Sequence, residues 1–163
     1  MDGVRDLGCC PSPFDSYLMT LGLETLSLRV RHEVESARRL AEYCRNHPKV
    51  ERVSFVGFES HPSYANAKKY FRFGSSAVFT IELKGTLDST VRFVESLNLA
   101  AHMVMIGDSV TVVTHPASTT HKQLSDADLA AAGVTPTMLR ISVGLENTDD
   151  LIDDFEQAFA HIG

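Results

Sequence analysis

The chain has 163 residues, of which 44% are hydrophobic and 22% charged, and its formal net charge at pH 7 is −6. This length and composition fit one globular domain with its own core. The acidic balance, without a basic stripe in the sequence, argues against nucleic-acid binding. No apolar stretch reaches the roughly 18 residues of a membrane span, and residues 1–6 lack a signal-peptide core. We therefore expect a cytoplasmic protein that is not inserted in a membrane.

The cysteines are Cys9, Cys10 and Cys44. Their number is odd, adjacent cysteines rarely bridge each other, and the spacing matches no zinc motif. Free thiols in a reducing cytoplasm are the expected state. A reactive Cys9 or Cys10 is a weaker alternative, because no neighbouring residue in the sequence would clearly activate the thiol.

Two helices are predicted in the first third of the chain. Residues 1–12 form a connector, and Ser12 can cap a short helix over residues 14–21 with Pro13 at its first position. A long helix follows over residues 23–46 and ends before Pro48. Its apolar residues recur every three or four positions and predict one continuous stripe, formed by Leu23, Leu26, Val30, Val34, Ala37, Ala41 and Cys44. The helix is longer than a small core needs, so part of it could pack against something outside this chain.

Strands and helices alternate through the rest of the chain. Apolar patterns predict strands at residues 50–56, 77–83, 99–104, 110–113 and 139–143. Two helices are predicted by their ranges, one from residue 60 to about residue 70 and one over residues 123–132. Two more are predicted by their N-caps, which are Thr86 or Asp88 for one and Thr148 for the other. This order, with one direct strand-to-strand step, predicts an α/β fold of the α+β two-layer sandwich type. Helices would cover one face of a sheet of about four strands.

Two stretches, residues 114–121 and 140–146, suggest a binding site. The first is a turn rich in hydroxyl groups after an apolar run, and the second places Arg140 at the head of a short β-like run. An arginine offers a planar fork that matches two carboxylate oxygens, and hydroxyl and N–H groups can satisfy the remaining lone pairs. The pattern indicates a carboxylate site. The alternative is an ordinary surface ion pair beside an ordinary turn.

Several stretches, in the same order along the chain, resemble the C-terminal domain of the Cys/Met-metabolism enzymes that use pyridoxal phosphate, and most closely the O-acetylhomoserine sulfhydrylases. They are residues 12–14 (SPF), 22–29 (GLETLSLR), 47–50 (HPKV), 60–62 (SHP), 68–70 (KKY), 106–108 (IGD), 115–121 (HPASTTH), 131–136 (AAGVTP) and 140–146 (RISVGLE). The resemblance implies the C-terminal small domain of the fold-type I pyridoxal-phosphate transferases, preceded by a long interdomain helix.

The resemblance also implies roles for individual residues. Arg140 matches the arginine that binds the α-carboxylate of the substrate, and Thr120 matches a threonine of the carboxylate-side loop, which Ser118 and Thr119 would shape. Met105 occupies a position where the family usually has Asn or Ser. A side-chain contact with the substrate carboxylate is therefore weakened at this position, while a main-chain contact with it can survive. His115 and His121 flank the loop, and a buried, hydrogen-bonded role is expected for them rather than catalysis or metal binding.

In this family a large domain before residue 1 would supply the Schiff-base lysine, the aspartate on the pyridine nitrogen and the phosphate-binding residues. Nothing in this sequence matches the lysine motif: Lys122 matches a surface position, and Lys68 and Lys69 are expected to be solvated. We therefore expect pyridoxal 5'-phosphate in the complete enzyme but no cofactor held covalently by this chain, and no turnover by this chain alone.

The expected division is a connector and short helix at residues 1–22, a linking helix at 23–47, and the sandwich at 48–163. The implied substrate is O-acetyl-L-homoserine, and the implied partners are an N-terminal cofactor-binding domain and further copies of the protein. Without that domain, several apolar side chains near the start of the chain would be exposed to solvent, namely Leu7, Phe14, Tyr17, Leu18 and Leu21. We therefore expect self-association of the chain or swapping of residues 1–22 between copies. The alternatives are a stand-alone amino-acid-binding or regulatory module, or the same domain from a cystathionine γ-synthase or methionine γ-lyase.

Overall fold

Two consecutive helices form the start of the chain in the computed structural model, which describes residues 3, 7–8, 10–120 and 122–162. Helix α1 is Pro13–Glu24, and α2 is Leu26–Asn46. Ser12 caps α1 as predicted, since its hydroxyl accepts from the Asp15 N–H at 3.1 Å and the Asp15 carboxylate accepts from the Ser12 N–H. Cys9 and His121 lie outside the described residues, so the predictions made for them stay predictions.

The boundary between the two helices differs from the predicted one. We expected a break near Gly22, whereas α1 continues to Glu24 and the break falls at Thr25, with φ −107° and ψ 3°. A helix tolerates one glycine at a cost of about 1 kcal/mol, so Gly22 does not end it. The Arg29 side chain crosses the break, where its Nη1 donates to the Gly22 carbonyl at 3.0 Å and to the Thr25 hydroxyl.

Only the C-terminal half of the predicted apolar stripe is buried. Ala37, Ala41 and Cys44 are fully buried, whereas Leu23 and Val30 are 65% and 41% exposed. The first half of the stripe thus has no cover among the described residues, as the excess length of the helix suggested. Because sequence spacing shows which residues share a face but not where the sheet ends, it could not tell the two halves apart.

Within the described residues, one sheet contains five strands in the order β1-β2-β5-β4-β3, rather than about four. The strands are β1 Val50–Ser54, β2 Val78–Leu83, β3 Ala101–His102, β4 Val112–Thr114 and β5 Met138–Ser142. Neighbouring strands are antiparallel except β3 and β4, which are parallel. The predicted strand 99–104 is reduced to two residues. The N–H groups of Leu99 and Ala100 donate to the Asp154 carboxylate instead, and the chain leaves the sheet edge after Met103, whose N–H still donates to the Val113 carbonyl. β5 lies at the centre of the sheet, with β2 and β4 on either side.

The remaining helices are α3 Tyr64–Tyr70, α4 Leu87–Glu95, α5 Asp126–Ala131 and α6 Thr148–Ala160, and a 3₁₀ turn covers Pro116–Ser118. Thr86 caps α4, as predicted. The cap of α6 is Asn147 rather than Thr148, because the Asn147 side chain accepts from the Asp149 N–H at 2.8 Å. The short helix also starts later than predicted, at Tyr64.

One face of the sheet carries the core. Ile81, Leu139 and Ile141 point into it and are fully buried, as are Phe93 and Phe155 of α4 and α6, whose rings pack edge to face at 5.5 Å. The C-terminal half of α2 packs against the same side of the sheet. The fold is therefore the predicted two-layer α/β sandwich, and the opposite face of the sheet is available for a site. Within the described residues, no helix is long and apolar enough to cross a bilayer.

Candidate functional site

Arg140 lies in the middle of β5, on the outer face of the sheet. Its neighbours along the strand, Leu139 and Ile141, are fully buried in the core, so the period of two along a strand turns Arg140 outward. The strand register places Thr80 of β2 on one side of it and Thr114 of β4 on the other. A half-buried guanidinium thus stands on a central strand, between two threonines.

One terminal nitrogen fixes the guanidinium. Its Nη2 donates to the Thr114 hydroxyl at 3.1 Å and to the Met105 carbonyl at 3.3 Å. Thr114 in turn donates its hydroxyl proton to the Met103 carbonyl at 2.6 Å. Nε is buried and has no hydrogen-bond partner among the described residues. The arginine is therefore oriented by neutral acceptors and keeps donor capacity for a further group.

Residues 103–107 cross the outer face of the sheet beside Arg140. The Gly107 N–H donates to the Ser142 hydroxyl at 3.1 Å, and Gly107 has φ +77°, a conformation that favours glycine. The side chains from Met103 to Ile106 are about half exposed or more. The Met105 carbonyl accepts from Arg140 and so orients the arginine. A contact between the Met105 main chain and a substrate carboxylate stays a prediction.

The hydroxyl-rich turn is built around His115, which is 2% exposed. Its Nε2 lies 2.9 Å from the Pro136 carbonyl and its Nδ1 lies 2.7 Å from the Ser118 hydroxyl. Because a carbonyl only accepts, Nε2 carries a proton, and in the neutral imidazole Nδ1 then accepts from the Ser118 hydroxyl. The Thr119 hydroxyl donates to the His115 carbonyl at 2.7 Å. These contacts give His115 the buried, hydrogen-bonded environment that we expected.

Ser118 and Thr119 direct their hydroxyls into the turn, which packs beside β5. Thr120, which follows them, is exposed. The structure therefore places the predicted loop next to the strand of Arg140. Convergence of Thr120 and Arg140 on one ligand stays a prediction. Thr114 belongs to the predicted stretch 114–121, but sequence analysis gave it no individual role, and its contact with Arg140 appears only in the structure.

A second network joins the predicted stretch 140–146 to Thr111, which lies shortly before the stretch 114–121. The Glu146 carboxylate accepts from the Thr111 N–H and from the Thr111 hydroxyl, both at 2.7 Å. The same hydroxyl accepts from the Gly144 N–H at 2.9 Å. A side chain at Gly144 would clash, because an added Cβ would lie 2.5 Å from the Ser109 carbonyl oxygen. The end of β5 is thus held closely against the strand that leads into the hydroxyl-rich turn.

The lysines of the described chain do not form a cofactor cradle. Each has another contact or is exposed: Lys49 Nζ donates to the Phe159 carbonyl, Lys84 Nζ to the Pro48 carbonyl, Lys68 and Lys69 lie over the Tyr64 and Tyr70 rings, and Lys122 is exposed. No group of three potential metal ligands occurs among residues 3, 7–8, 10–120 and 122–162. The described lysines therefore do not form a site for a pyridoxal phosphate held through one of them.

Charge balance separates Arg140 from a structural arginine on the same sheet face. Arg52 of β1 forms an ion pair with Glu82 of β2, the arrangement expected of a surface arginine. Among the described residues, by contrast, no carboxylate lies within ion-pair distance of Arg140. Removing a cation from water without a counter-charge is unfavourable, so the Arg140 position is suited to an anionic ligand.

Comparison with known proteins identifies the family. The family model described as Cys/Met metabolism PLP-dependent enzyme matches residues 2–160. The chain is 44% identical to a sulfhydrylase, FUB7, of Fusarium oxysporum over 96% of its length. It is 43% identical to O-acetyl-L-homoserine sulfhydrylase 1 of Thermus thermophilus over 98% of its length. It is 46% identical to a homocysteine synthase of Schizosaccharomyces pombe over 95% of its length.

The match covers a minor part of each relative, 36% of the Fusarium and Schizosaccharomyces proteins and 38% of the Thermus protein. The crystal structure of an O-acetylhomoserine (thiol)-lyase of Campylobacter jejuni, which contains a pyridoxyl-lysine monophosphate, has the same fold. It superposes with a TM-score of 0.88 at 36% identity, over 96% of this chain and 37% of that one. The chain therefore belongs to the Cys/Met metabolism family of pyridoxal-phosphate-dependent enzymes.

Proposed function

We propose that this chain is the C-terminal, carboxylate-binding part of a pyridoxal-phosphate-dependent O-acetylhomoserine sulfhydrylase. Arg140 binds the α-carboxylate of O-acetyl-L-homoserine, and Thr120 supplies a further donor from the turn that Ser118 and Thr119 shape. Met105 orients Arg140 through its carbonyl. The observation that carries the proposal is the half-buried Arg140 guanidinium, which neutral groups orient and no carboxylate of the described chain neutralises.

In this proposal the cofactor and the proton-transferring lysine belong to a large domain. The chain contacts that domain through residues 1–22. Residues 23–47 form the linking helix, and residues 48–163 form the sandwich. Pyridoxal phosphate would supply the electron sink for replacing the acetoxy group by sulfide or a thiol, with acetate as the leaving group. The exposed apolar residues of α1 and the first half of α2 support a partner domain there. The chain alone then holds no cofactor covalently and is inactive. Free Cys10 and Cys44 support a cytoplasmic location.

A chimera tests the role of Arg140. The matched segment of the Thermus O-acetyl-L-homoserine sulfhydrylase 1 is replaced by this chain, and homocysteine formation from O-acetyl-L-homoserine and sulfide is measured. We expect activity, and we expect Arg140→Lys to lower kcat/KM by about 10- to 100-fold, because an ammonium cannot reproduce a two-point contact with a carboxylate.

Arg52→Lys is the matched control, since Arg52 lies on the same sheet face in an ion pair with Glu82. It should change kcat/KM by less than about twofold. An Arg140→Lys chimera as active as its parent, or an equal loss in both variants, would contradict the proposed role.

Mixing the isolated chain with pyridoxal phosphate tests the second half of the proposal. After gel filtration the protein fraction should show no absorption band of an internal aldimine. A band that co-elutes with the protein would place a Schiff-base lysine in this chain. Calorimetry with O-acetylhomoserine, methionine and homocysteine completes the test, since tight binding by the isolated chain would favour an amino-acid sensor over part of an enzyme.

A further inference from the structure

Thr114 is the last residue of β4, and the strand register places it opposite Arg140. It is 1% exposed, and a buried hydroxyl is unfavourable unless it is hydrogen-bonded. The Thr114 hydroxyl has two partners, the Met103 carbonyl at 2.6 Å and Arg140 Nη2 at 3.1 Å. It thus connects the segment that crosses the outer face of the sheet to the guanidinium.

The direction of these two hydrogen bonds is fixed by chemistry. A hydroxyl has one proton and a carbonyl can only accept, so the Thr114 proton points towards Met103. The lone pairs of the same oxygen then face Arg140, which can only donate. A carboxylate also only accepts, so Thr114 has no proton left to offer to one. Thr114 therefore acts on a carboxylate ligand through Arg140 and not by direct contact.

The Thr114 hydroxyl is the more buried of the two acceptors that hold Nη2. The other is the Met105 carbonyl, which lies 3.3 Å away and belongs to a residue that is 47% exposed. A hydrogen bond is stronger in the interior than at the surface, where water competes for it. Because a guanidinium is rigid and planar, holding one terminal nitrogen fixes the plane of the whole group. The direction in which Arg140 meets a ligand is therefore set mainly by Thr114.

We propose that Thr114 is a positioning residue for the carboxylate of the ligand and that it acts by holding Arg140 in place before the ligand binds. This inference rests on the proposed function of Arg140 and adds the residue that preorganises it. Preorganisation raises affinity because the arginine does not have to be ordered during binding. The gain applies to a ligand with a carboxylate. Thr114 therefore determines how strongly the site prefers an amino acid to the same molecule with a neutral amide in place of the carboxylate.

The preference for a carboxylate can be measured in the chimera with the Thermus protein, with O-acetyl-L-homoserine and its α-carboxamide as substrates. Thr114→Val keeps the shape of the side chain and removes the hydroxyl. It should lower kcat/KM for O-acetyl-L-homoserine by about 5- to 20-fold, and for the carboxamide by less than about twofold. Thr114→Ser keeps the hydroxyl and should retain the parent's preference to within about twofold. An equal loss for both substrates, or a serine variant as impaired as the valine variant, would overturn the proposal.

Thr90→Val is the matched control. Thr90 is fully buried, and its hydroxyl donates to the Thr86 carbonyl at 3.0 Å within α4, away from Arg140. This variant also removes a buried hydroxyl from a carbonyl, so it should lower stability in the same way. It should leave the ratio of kcat/KM for the two substrates unchanged to within about twofold. A change in that ratio as large as that of Thr114→Val would mean that lost stability, and not the position of Arg140, explains the effect.

Arg140→Lys separates this proposal from the proposed function. In an Arg140→Lys background, Thr114→Val should lower kcat/KM by less than about a further twofold, because residues that act as a unit have non-additive effects. If Arg140→Lys leaves the activity unchanged, the proposed function fails. If Arg140→Lys lowers the activity and Thr114→Val does not, the proposed function stands and the positioning role of Thr114 fails.

NMR of the isolated chain tests the position of Arg140 without any activity. Rotation about the Nε–Cζ bond exchanges Nη1 with Nη2, and a hydrogen bond to Nη2 slows this exchange. The Arg140 signals, assigned by their loss in Arg140→Lys, should exchange at least about threefold faster in Thr114→Val. The rate should stay unchanged in Thr114→Ser and in Thr90→Val. An exchange rate that Thr114→Val leaves unaltered overturns the proposal, whether or not the chimera is active.

Discussion

Thr111→Val should loosen the contact that joins the two halves of the candidate site. Thr111 is fully buried, and its hydroxyl both donates to Glu146 at 2.7 Å and accepts from the Gly144 N–H at 2.9 Å. Valine has the same shape but offers neither contact. The substitution leaves the buried Gly144 N–H without its acceptor, whereas the Thr111 N–H can still donate to Glu146.

The expected loss follows from these contacts. A hydrogen bond to a charged group contributes about 1.5–3 kcal/mol, and an unsatisfied buried N–H costs about 1–3 kcal/mol. Since part of the first contact survives through the main chain, we expect a loss of about 3 kcal/mol in the free energy of unfolding. In a chain of this size that corresponds to a fall in Tm of about 6–12 °C.

Urea unfolding and calorimetry of the isolated chain measure the loss. Thr80→Val is the matched control, because Thr80 is a half-buried strand residue whose hydroxyl has no hydrogen bond within the described residues. The control should change stability by less than about 1 kcal/mol. Glu146→Gln should be strongly non-additive with Thr111→Val. A loss for Thr111→Val no larger than that of the control, or additive effects in the double variant, would refute this reasoning.

Three further predictions concern other buried groups. Asp154→Ala should destabilise the chain by about 3–5 kcal/mol in urea unfolding, because the Asp154 carboxylate accepts from the three consecutive N–H groups of residues 98–100 at 2.8–3.1 Å. Burial lowers the pKa of His47 in the folded chain. The contribution of His47 to the free energy of unfolding is therefore present above its pKa in the unfolded chain and is lost as pH falls through its pKa in the folded chain. His47→Phe should flatten the fall in Tm between pH 7.5 and about 5, and an unchanged slope would contradict this. Burial raises the pKa of the Cys44 thiol, so in a Cys9→Ser background a thiol reagent should modify Cys10 at once and Cys44 only on unfolding.

Regular elements could be located from the sequence because local patterns determine them. The strands predicted at 77–83 and 139–143 are Val78–Leu83 and Met138–Ser142, and the cap at Thr86 is where the pattern placed it. The strand predicted at 99–104 failed for a physical reason. Its apolar residues continue beyond His102, but they leave the sheet and stay exposed. Apolar spacing alone cannot tell a buried strand from an apolar segment that crosses a sheet face.

The candidate site was partly predictable for the same reason. Arg140 could be singled out because a charged residue interrupts an apolar strand pattern. Its contacts could not be derived from the residues alone: Met105 was named only through the family resemblance, and Thr114 had no individual role. Both reach Arg140 through the pairing of β4 with β5 and the crossing of residues 103–107. That geometry depends on contacts between residues 26 and 35 positions apart along the chain. Sequence spacing carries no direct information about such contacts.

Two features of this chain depend physically on groups outside it. The Arg140 guanidinium is oriented and half-buried, yet the described residues offer it no counter-charge, while Arg52 on the same face has one. Helix α1 is capped and rich in apolar side chains, yet no residue of it is buried. A charge without a partner and an apolar face without cover are both unfavourable in water. Both features are explained if an anionic ligand neutralises Arg140 and a further polypeptide surface covers the apolar side chains of α1. Because the first need is electrostatic, high salt should weaken carboxylate binding.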